Sequence, residues 1–388
     1  MSISTLPLSY CTNIHSGRSV AEVVDGLDRY TAPVRENFGA PLAAGLWLAQ
    51  PVVRELLESA DGPPRLADRL ACRNLVCYTL NAFPYGDFHS ERVKENVYLP
   101  DWTRLERMQY TADCARILTA LMPTGSEGSI STLPLGFKEF ERSDDFLDHS
   151  VRQLIELACR LEEIFDQTGK LIRLAIEPEP FCLLETTEEA ISFFQRLWQQ
   201  ADEKNAGELV RRCIGLCYDV CHQAVEFEDV AASIQSLHRA GVRINKVHIT
   251  CAIQLDRPAE NIEARRALVR YVEPRYLHQT MARTSTGKIL RAVDLSEQLA
   301  REPDRDFLNA ETWRVHFHVP VDAERMGPLG TTRPDLKRAL IAVSQLDYAP
   351  HLEVETYTWE VLPDGQPADL VDGLTRELTA TRSLLSEL

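Results

Sequence analysis

The sequence predicts an α/β chain closed into a (β/α)8 barrel, and three observations carry that prediction. Short apolar runs alternate with amphipathic stretches along nearly the whole chain, the pattern of a parallel sheet with helices outside it. The 388 residues exceed the roughly 250 of a typical barrel of this kind but stay within the range that insertions reach. Several of the apolar runs also end on a carboxylate or an imidazole that shares one face by residue parity.

The strand candidates, in order, are LPLSYCTN from residue 6, AAGLWLA from 43, LVCYTLNAF from 75, SISTLPLG from 129 and LIRLAIEPEP from 171. They continue with CIGLCYDV from 213, INKVHITCA from 244, WRVHFHVP from 313 and HLEVETYTW from 351. Helix signals lie between them. Ser19 precedes VAEVVDGLDRY, and Thr186 with Glu189 makes a capping-box pattern before AISFFQRLWQQ. Gly241 follows VAASIQSLHRA as a helix stop. Nine candidates for eight staves leave one extra, or two sharing a stave. The connection from Ala252 to Thr312 is far longer than a usual loop. It reads as an insertion after strand seven (252–312) over the C-terminal mouth of one TIM-barrel domain spanning residues 1–388. Within it, ARTSTGKILR is similar to the lysine loop of acyl-adenylating enzymes, but the rest of such a chain is missing, and so is the upstream glycine of a phosphate loop.

Composition narrows the function. A formal charge of −16 argues against a duplex nucleic-acid partner, whose grip depends on Lys and Arg neutralising phosphates. No apolar run reaches the 18 to 20 residues or so that span a bilayer, so stable membrane insertion is not expected. MSISTLPLSYCTNIHSG lacks the charged and apolar regions of a signal peptide, which points to the cytoplasm. The ten cysteines then read as reduced, mostly small core residues. Cys217 and Cys221 do not form a CxxC pair.

Parity supplies the chemistry. Glu177 follows Ala175 on the face opposite Leu174 and Ile176; Asp219 shares a face with Gly215 and Cys217, opposite Leu216 and Tyr218. His248 opposes Val247 and Ile249, His316 and His318 oppose Phe317, and Glu353 and Glu355 oppose Leu352 and Val354. In a closed barrel the apolar face meets the helices, and the other face meets the axis. Acids and imidazoles then converge at the C-terminal mouth, where such barrels place their chemistry. Taken singly, a strand-end Asp is usually a helix cap and a strand His a hydrogen-bonded core residue. Together, three crowded carboxylates repel one another, and a divalent cation relieves that repulsion.

The order Glu177, Asp219-Val-Cys-His222, His248, His316-Phe-His318, Glu355 resembles the xylose-isomerase-like barrel superfamily, with its sugar-phosphate epimerase and apurinic-endonuclease branches. The resemblance covers Leu171 to Trp359 well and the first half more weakly. It implies a central cation held by Glu177, Asp219, His248 and Glu355; oxygen and imidazole donors without thiolate allow a divalent Mn, Zn, Mg or Co. In an isomerase or epimerase built on that set, Glu177 and Glu355, on opposite walls of the barrel, are expected to move a proton off and back onto carbon. The endonuclease branch has a second cation on a DxxH histidine and an acid-x-His pair. His222 and His318 match that pattern, while His316 replaces the acid. The strand-three and strand-four histidines of that branch are missing from NAFPYG and STLPLG.

Over nearly the whole length, LSYCTNIHSG, NAFPYGDFHSERVKENVYLPDW, IEPEP, YDVCH, YLHQT and VHFHVP resemble the EboE-type metabolite-traffic family of ebo gene clusters. That resemblance implies a small-molecule metabolite and other ebo-cluster proteins as partners. His15, Asn81, His89 and His278 are further candidates to line the mouth. The expected function is a metal-dependent isomerase or epimerase on a small hydroxylated or carbonyl metabolite. The alternatives are a non-catalytic metal-containing carrier and, third, a zinc phosphodiesterase of apurinic-endonuclease type.

Overall fold

The computed structural model describes residues 3–363 and 370–388. Eight staves form the ring: Leu8–Cys11, Leu42–Trp47, Thr79–Asn81, Gly128–Thr132, Ile172–Ile176, Ile214–Asp219, Ile244–Ile249 and His351–Val354. Each pairs in parallel with the next, and stave one closes the ring by pairing with both stave two and stave eight. The chain is therefore a (β/α)8 barrel. The run LVCYTLNAF supplies two pieces of one stave position, Leu75–Val76 and Thr79–Asn81, both paired with stave two.

The ninth candidate is not a stave. WRVHFHVP contributes Thr312–Val315 to a separate six-stranded antiparallel sheet. His316 and His318 consequently follow a strand of that sheet instead of lying on a barrel strand. The ring is already closed by eight parallel pairings, so this strand satisfies its backbone against Thr280–Arg283 and Ile253–Asp256. The sheet also includes Ile289–Ala292, Leu329–Thr331 and Arg325–Met326, so it runs on past residue 312.

The helix signals act as local chemistry predicts. Ser19 accepts from the Glu22 amide, Thr186 and Glu189 close a reciprocal capping box, and Gly241 takes a φ of +78° after helix Val230–Arg239. Leu174, Ile176, Leu216, Val247, Ile249, Leu352 and Val354 are buried in the apolar core. Among the described residues no helix is long and apolar enough to cross a membrane.

The axis is less conventional. Apolar branched residues normally fill such a barrel, but here Lys246 and Glu353, both 0% exposed, stand 2.5 Å apart between Nζ and Oε2. Ser9 Oγ donates to Glu353 Oε1 at 2.9 Å, and Lys246 Nζ donates to Ser131 Oγ at 3.2 Å. Gly45 makes the room, since a Cβ there would lie 1.4 Å from Glu353 Oε1.

Burial alone would raise the Glu353 carboxyl, but the Lys246 ammonium beside it holds it down at about 2. A depressed carboxyl contributes stability that is whole above its unfolded value of 4.5 and is lost as pH falls toward 2. Urea unfolding of metal-free protein should therefore show the Lys246→Met/Glu353→Leu double variant gaining on the wild type between pH 5 and pH 2. A gap that stays constant with pH contradicts this.

Candidate metal centre

Each candidate ligand sits where a stave delivers it. Glu177 follows stave five, Asp219 ends stave six, His248 lies in stave seven, and Glu355 follows stave eight. One donor atom from each of the four lies within 4.8 Å of the others, and all are buried. His248 Nδ1 is 3.0 Å from Glu177 Oε1, 3.1 Å from Glu355 Oε2 and 3.6 Å from Asp219 Oδ2.

Local bonds aim the oxygens. Asp219 caps helix Val220–Val225: its Oδ1 accepts from the His222 amide at 3.0 Å and from Thr250 Oγ1 at 2.7 Å. Its Oδ2 is left without a hydrogen bond, as is Glu177 Oε2. Glu355 Oε1 accepts from Asn13 Nδ2 at 2.8 Å and Asn81 Nδ2 at 2.9 Å, so Oε2 faces His248. Orphaned buried carboxylate oxygens are costly, and both belong to residues of the four-ligand cluster.

The electrostatics express the same crowding. Burial pushes the Glu177 carboxyl up to about 7, against the pull of His248. Burial opposes ionisation of Asp219 too, yet His222, His248 and His318 together hold it well below the usual carboxylate range. His248 loses by burial, but Glu177 and Glu355 hold its imidazole well above the ordinary value. Without a metal, a proton on this ring is what offsets the acids.

A second cluster adjoins the first. The Nε2 of His316 is 3.1 Å from that of His222 and 3.3 Å from that of His318. Each ring is oriented from behind through Nδ1: His222 on Pro178 O at 2.9 Å, His316 on Gln279 Oε1 at 2.7 Å, His318 on Glu355 O at 2.8 Å. Those oxygens carry no proton, so Nδ1 donates in all three. Burial first, then the neighbouring imidazoles, holds His316 well below its usual range, and burial brings His222 down to about 4. With Nδ1 donating on each ring, Nε2 of His316 faces Nε2 of both His222 and His318. Asp219 Oδ2 lies between the clusters, 3.9 Å from His222 Nε2 and 4.0 Å from His318 Nε2.

Above the ligands is a cavity of about 60 Å³. Glu177, His222, His316, His318 and Glu355 form one side of it, and Phe83, Phe88, Tyr98, Tyr276 and Tyr357 contribute aromatic surface. Its roof joins two distant segments. The Val93 and Lys94 amides donate to Arg275 O at 2.8 and 2.7 Å, and Lys94 Nζ reaches Tyr276 O and Asp294 Oδ2 at 2.6 Å each.

Of the four further candidates, only Asn81 lines the cavity. His15 stacks on Tyr30 with centroids 4.5 Å apart and bonds Tyr10 Oη. His89 bonds Asn13 O at 2.8 Å, and His278 braces the roof between His316 O and Glu273. These three are supports, because each ring is turned to a fixed partner. The sequence reading missed Asn13, Tyr98 and Glu179. Tyr98 Oη donates to Glu179 Oε1 at 2.8 Å at the cavity wall. Glu179 shares the parity of Glu177, a signal that was available in IEPEP; nothing local marks Asn13 or Tyr98.

No family model matches the chain, and no curated protein sequence does. Solved structures are similar in fold. One is the IOLI protein with a bound zinc atom, at 12% identity, 98% coverage of this chain and 99% of that chain, and a TM-score of 0.51. Another is a xylose isomerase-like TIM barrel protein from Mycobacterium smegmatis in complex with magnesium, at 12% identity, 99% coverage of both chains and a TM-score of 0.51. A D-tagatose 3-epimerase-like protein matches at 11% identity over 98% of both chains, also at a TM-score of 0.51. The fold is that of the xylose-isomerase-like TIM barrels.

Because a bound ion removes the repulsion among these donors, Zn²⁺ or Mn²⁺ at about a hundred times its Kd should stabilise the protein by ~2.7 kcal/mol. Calorimetry should record a rise in Tm of several degrees that Asp219→Asn largely abolishes. An unchanged Tm contradicts the reading of these clusters as cation sites.

Proposed function

We propose that this chain is a metal-dependent enzyme of isomerase or epimerase type, acting on a small hydroxylated or carbonyl metabolite. The observation that carries the reading is the convergence of Glu177, Asp219, His248 and Glu355 within 4.8 Å, with Glu177 and Glu355 lining a partly open cavity. The residues fit a divalent cation: two buried carboxylate oxygens there, Glu177 Oε2 and Asp219 Oδ2, have no hydrogen-bond partner. Oxygen donors with one imidazole suit Mn²⁺, Mg²⁺, Co²⁺ or Zn²⁺. Such a cation would polarise adjacent carbonyl and hydroxyl oxygens as a Lewis acid.

The chain's own groups do the rest. Glu177 and Glu355 reach the same cavity from staves three positions apart, one to take a proton from carbon and the other to return it. Asn13 and Asn81 hold the Glu355 carboxylate in place. Phe83, Phe88, Tyr98, Tyr276 and Tyr357 limit water around the reacting carbon and favour a small substrate with one apolar face. The roof over the cavity joins NAFPYGDFHSERVKENVYLPDW to YLHQT, stretches that resemble the EboE-type family. On that resemblance the chain would act in metabolite processing or traffic in the cytoplasm, alongside other ebo-cluster proteins.

A second reading rests on the three facing imidazoles. His222, His316 and His318 suit zinc or another imidazole-friendly cation, and a pair of cations also serves hydrolysis.

The test is turnover of candidate hydroxycarbonyl metabolites in D₂O with added Mn²⁺ or Zn²⁺. Deuterium should appear on the carbon beside the carbonyl. Glu177→Gln and Glu355→Gln should each lower that exchange by about 10²-fold or more. A product that has gained the elements of water, with no deuterium on carbon, would move the function to hydrolysis. Tight metabolite binding without exchange, unchanged by Glu177→Gln, would make the protein a carrier.

A further inference from the structure

The metal-centre reading leaves the fully buried Lys246–Glu353 pair beneath it without a task. Two charges in a barrel core cost several kcal/mol each to desolvate, and an apolar pair of the same volume is often as stable. Their place in the fold is specific. Glu353 lies on stave eight, level with His248 on stave seven, and Lys246 lies one inward position below His248. His248 Nε2 is 3.2 Å from Glu353 Oε2, close enough for an ion pair but outside hydrogen-bond alignment, and neither atom has a hydrogen-bond partner elsewhere, so the carboxylate is the group left to satisfy the ring nitrogen. Its Nδ1 is the atom turned to Glu177, Asp219 and Glu355. The carboxylate is fixed on every side, by Lys246 Nζ on Oε2, by Ser9 Oγ on Oε1, and by the space at Gly45 that any side chain would fill.

We infer that Glu353, cradled by Lys246, Ser9 and Gly45, is a positioning residue that keeps the proton of His248 on Nε2 and presents Nδ1 to the metal-ligand set. The inference rests on the metal centre proposed above. A carboxylate behind a ligating histidine fixes its tautomer and ring angle and raises its basicity, and losing such a partner typically costs ten- to a hundred-fold in metal affinity. The arrangement also accounts for a charged pair at the axis. A neutral acceptor would orient the ring, but an anion there also favours the proton on Nε2, and the lysine prevents that anion from adding to the repulsion among Glu177, Asp219 and Glu355.

The experiment combines two readouts on the full chain. Protein carrying ¹⁵N-labelled histidine and no metal should show an exchange-protected, low-field N–H signal for His248 Nε2 beside that of the Nδ1 proton facing the acids, and a bound cation should remove the Nδ1 signal and leave the Nε2 one. The Nε2 signal should move upfield in Glu353→Gln. Calorimetric titration with Zn²⁺ and with Mn²⁺ should show Glu353→Gln weaker by about ten- to a hundred-fold, with circular dichroism matching the wild type. Ser9→Ala removes one hydrogen bond from the same carboxylate and serves if Glu353→Gln does not fold; its affinity should fall about two- to tenfold. Affinity within twofold of the wild type in both variants, with the Nε2 signal unmoved, overturns the inference. A wild type that shows the Nε2 signal and its shift but binds neither cation upholds the cradle and overturns the metal centre.

Discussion

Everything at the barrel mouth follows from one electrostatic constraint: the fold brings Glu177, Asp219 and Glu355 to within 4.8 Å of one another and of His248, away from water. Like charges at that separation in a low-dielectric site cost more than any single hydrogen bond returns. The protein answers in layers. Asn13, Asn81, Thr250 and the His222 amide each engage one oxygen of a carboxylate. What they leave over, the free oxygens and the inward Nδ1 of His248, is a negative cavity suited to a cation. The histidine cluster poses the complementary problem, with Nε2 of His316 facing Nε2 of both His222 and His318 and each ring locked from behind. Asp219 joins the two, so neither cluster is independent of the other.

The scaffold explains why this arrangement holds. Parallel pairing around a closed ring fixes the register, and register fixes which side chains point inward. Below the ligands the axis carries Lys246, Glu353, Ser9 and Ser131 where aliphatic layers are usual. Above them, the segment around Lys94 and the chain at Tyr276–Leu277 line the cavity wall. The Lys94 ammonium is bonded to Glu273 O, Tyr276 O and Asp294, so the only lysine at the cavity wall among the described residues is already committed. On the proposed reading, recognition of a substrate would fall to the ligand set, the neighbouring polar side chains and the aromatic surface.

Much of this was legible in the sequence because parity in a strand is a rigid rule. Eight of nine apolar runs became stave segments, and Glu177, Asp219, His248 and Glu355 came together as their alternation implied. WRVHFHVP misled for a physical reason. Alternation marks a strand but says nothing about its partner, and its partners, Thr280–Arg283 and Ile253–Asp256, belong to another sheet. His316 and His318 reached the site all the same, carried by the segment that leaves that strand. Single histidines elsewhere could not be judged, since residue type does not reveal direction: His15, His89 and His278 all turn to fixed partners. Lys246 and Glu353 share the inward parity of His248 and Glu355, but only their pairing across staves shows that they meet.

The central claim is that these two clusters hold cations. A crystal of the protein grown with Zn²⁺ and measured on both sides of the zinc absorption edge tests it most directly. The account predicts an anomalous peak among Glu177, Asp219, His248 and Glu355, and a second among His222, His316 and His318. A map with no peak in the carboxylate cluster, its side chains turned away to hydrogen bonds of their own, would contradict it.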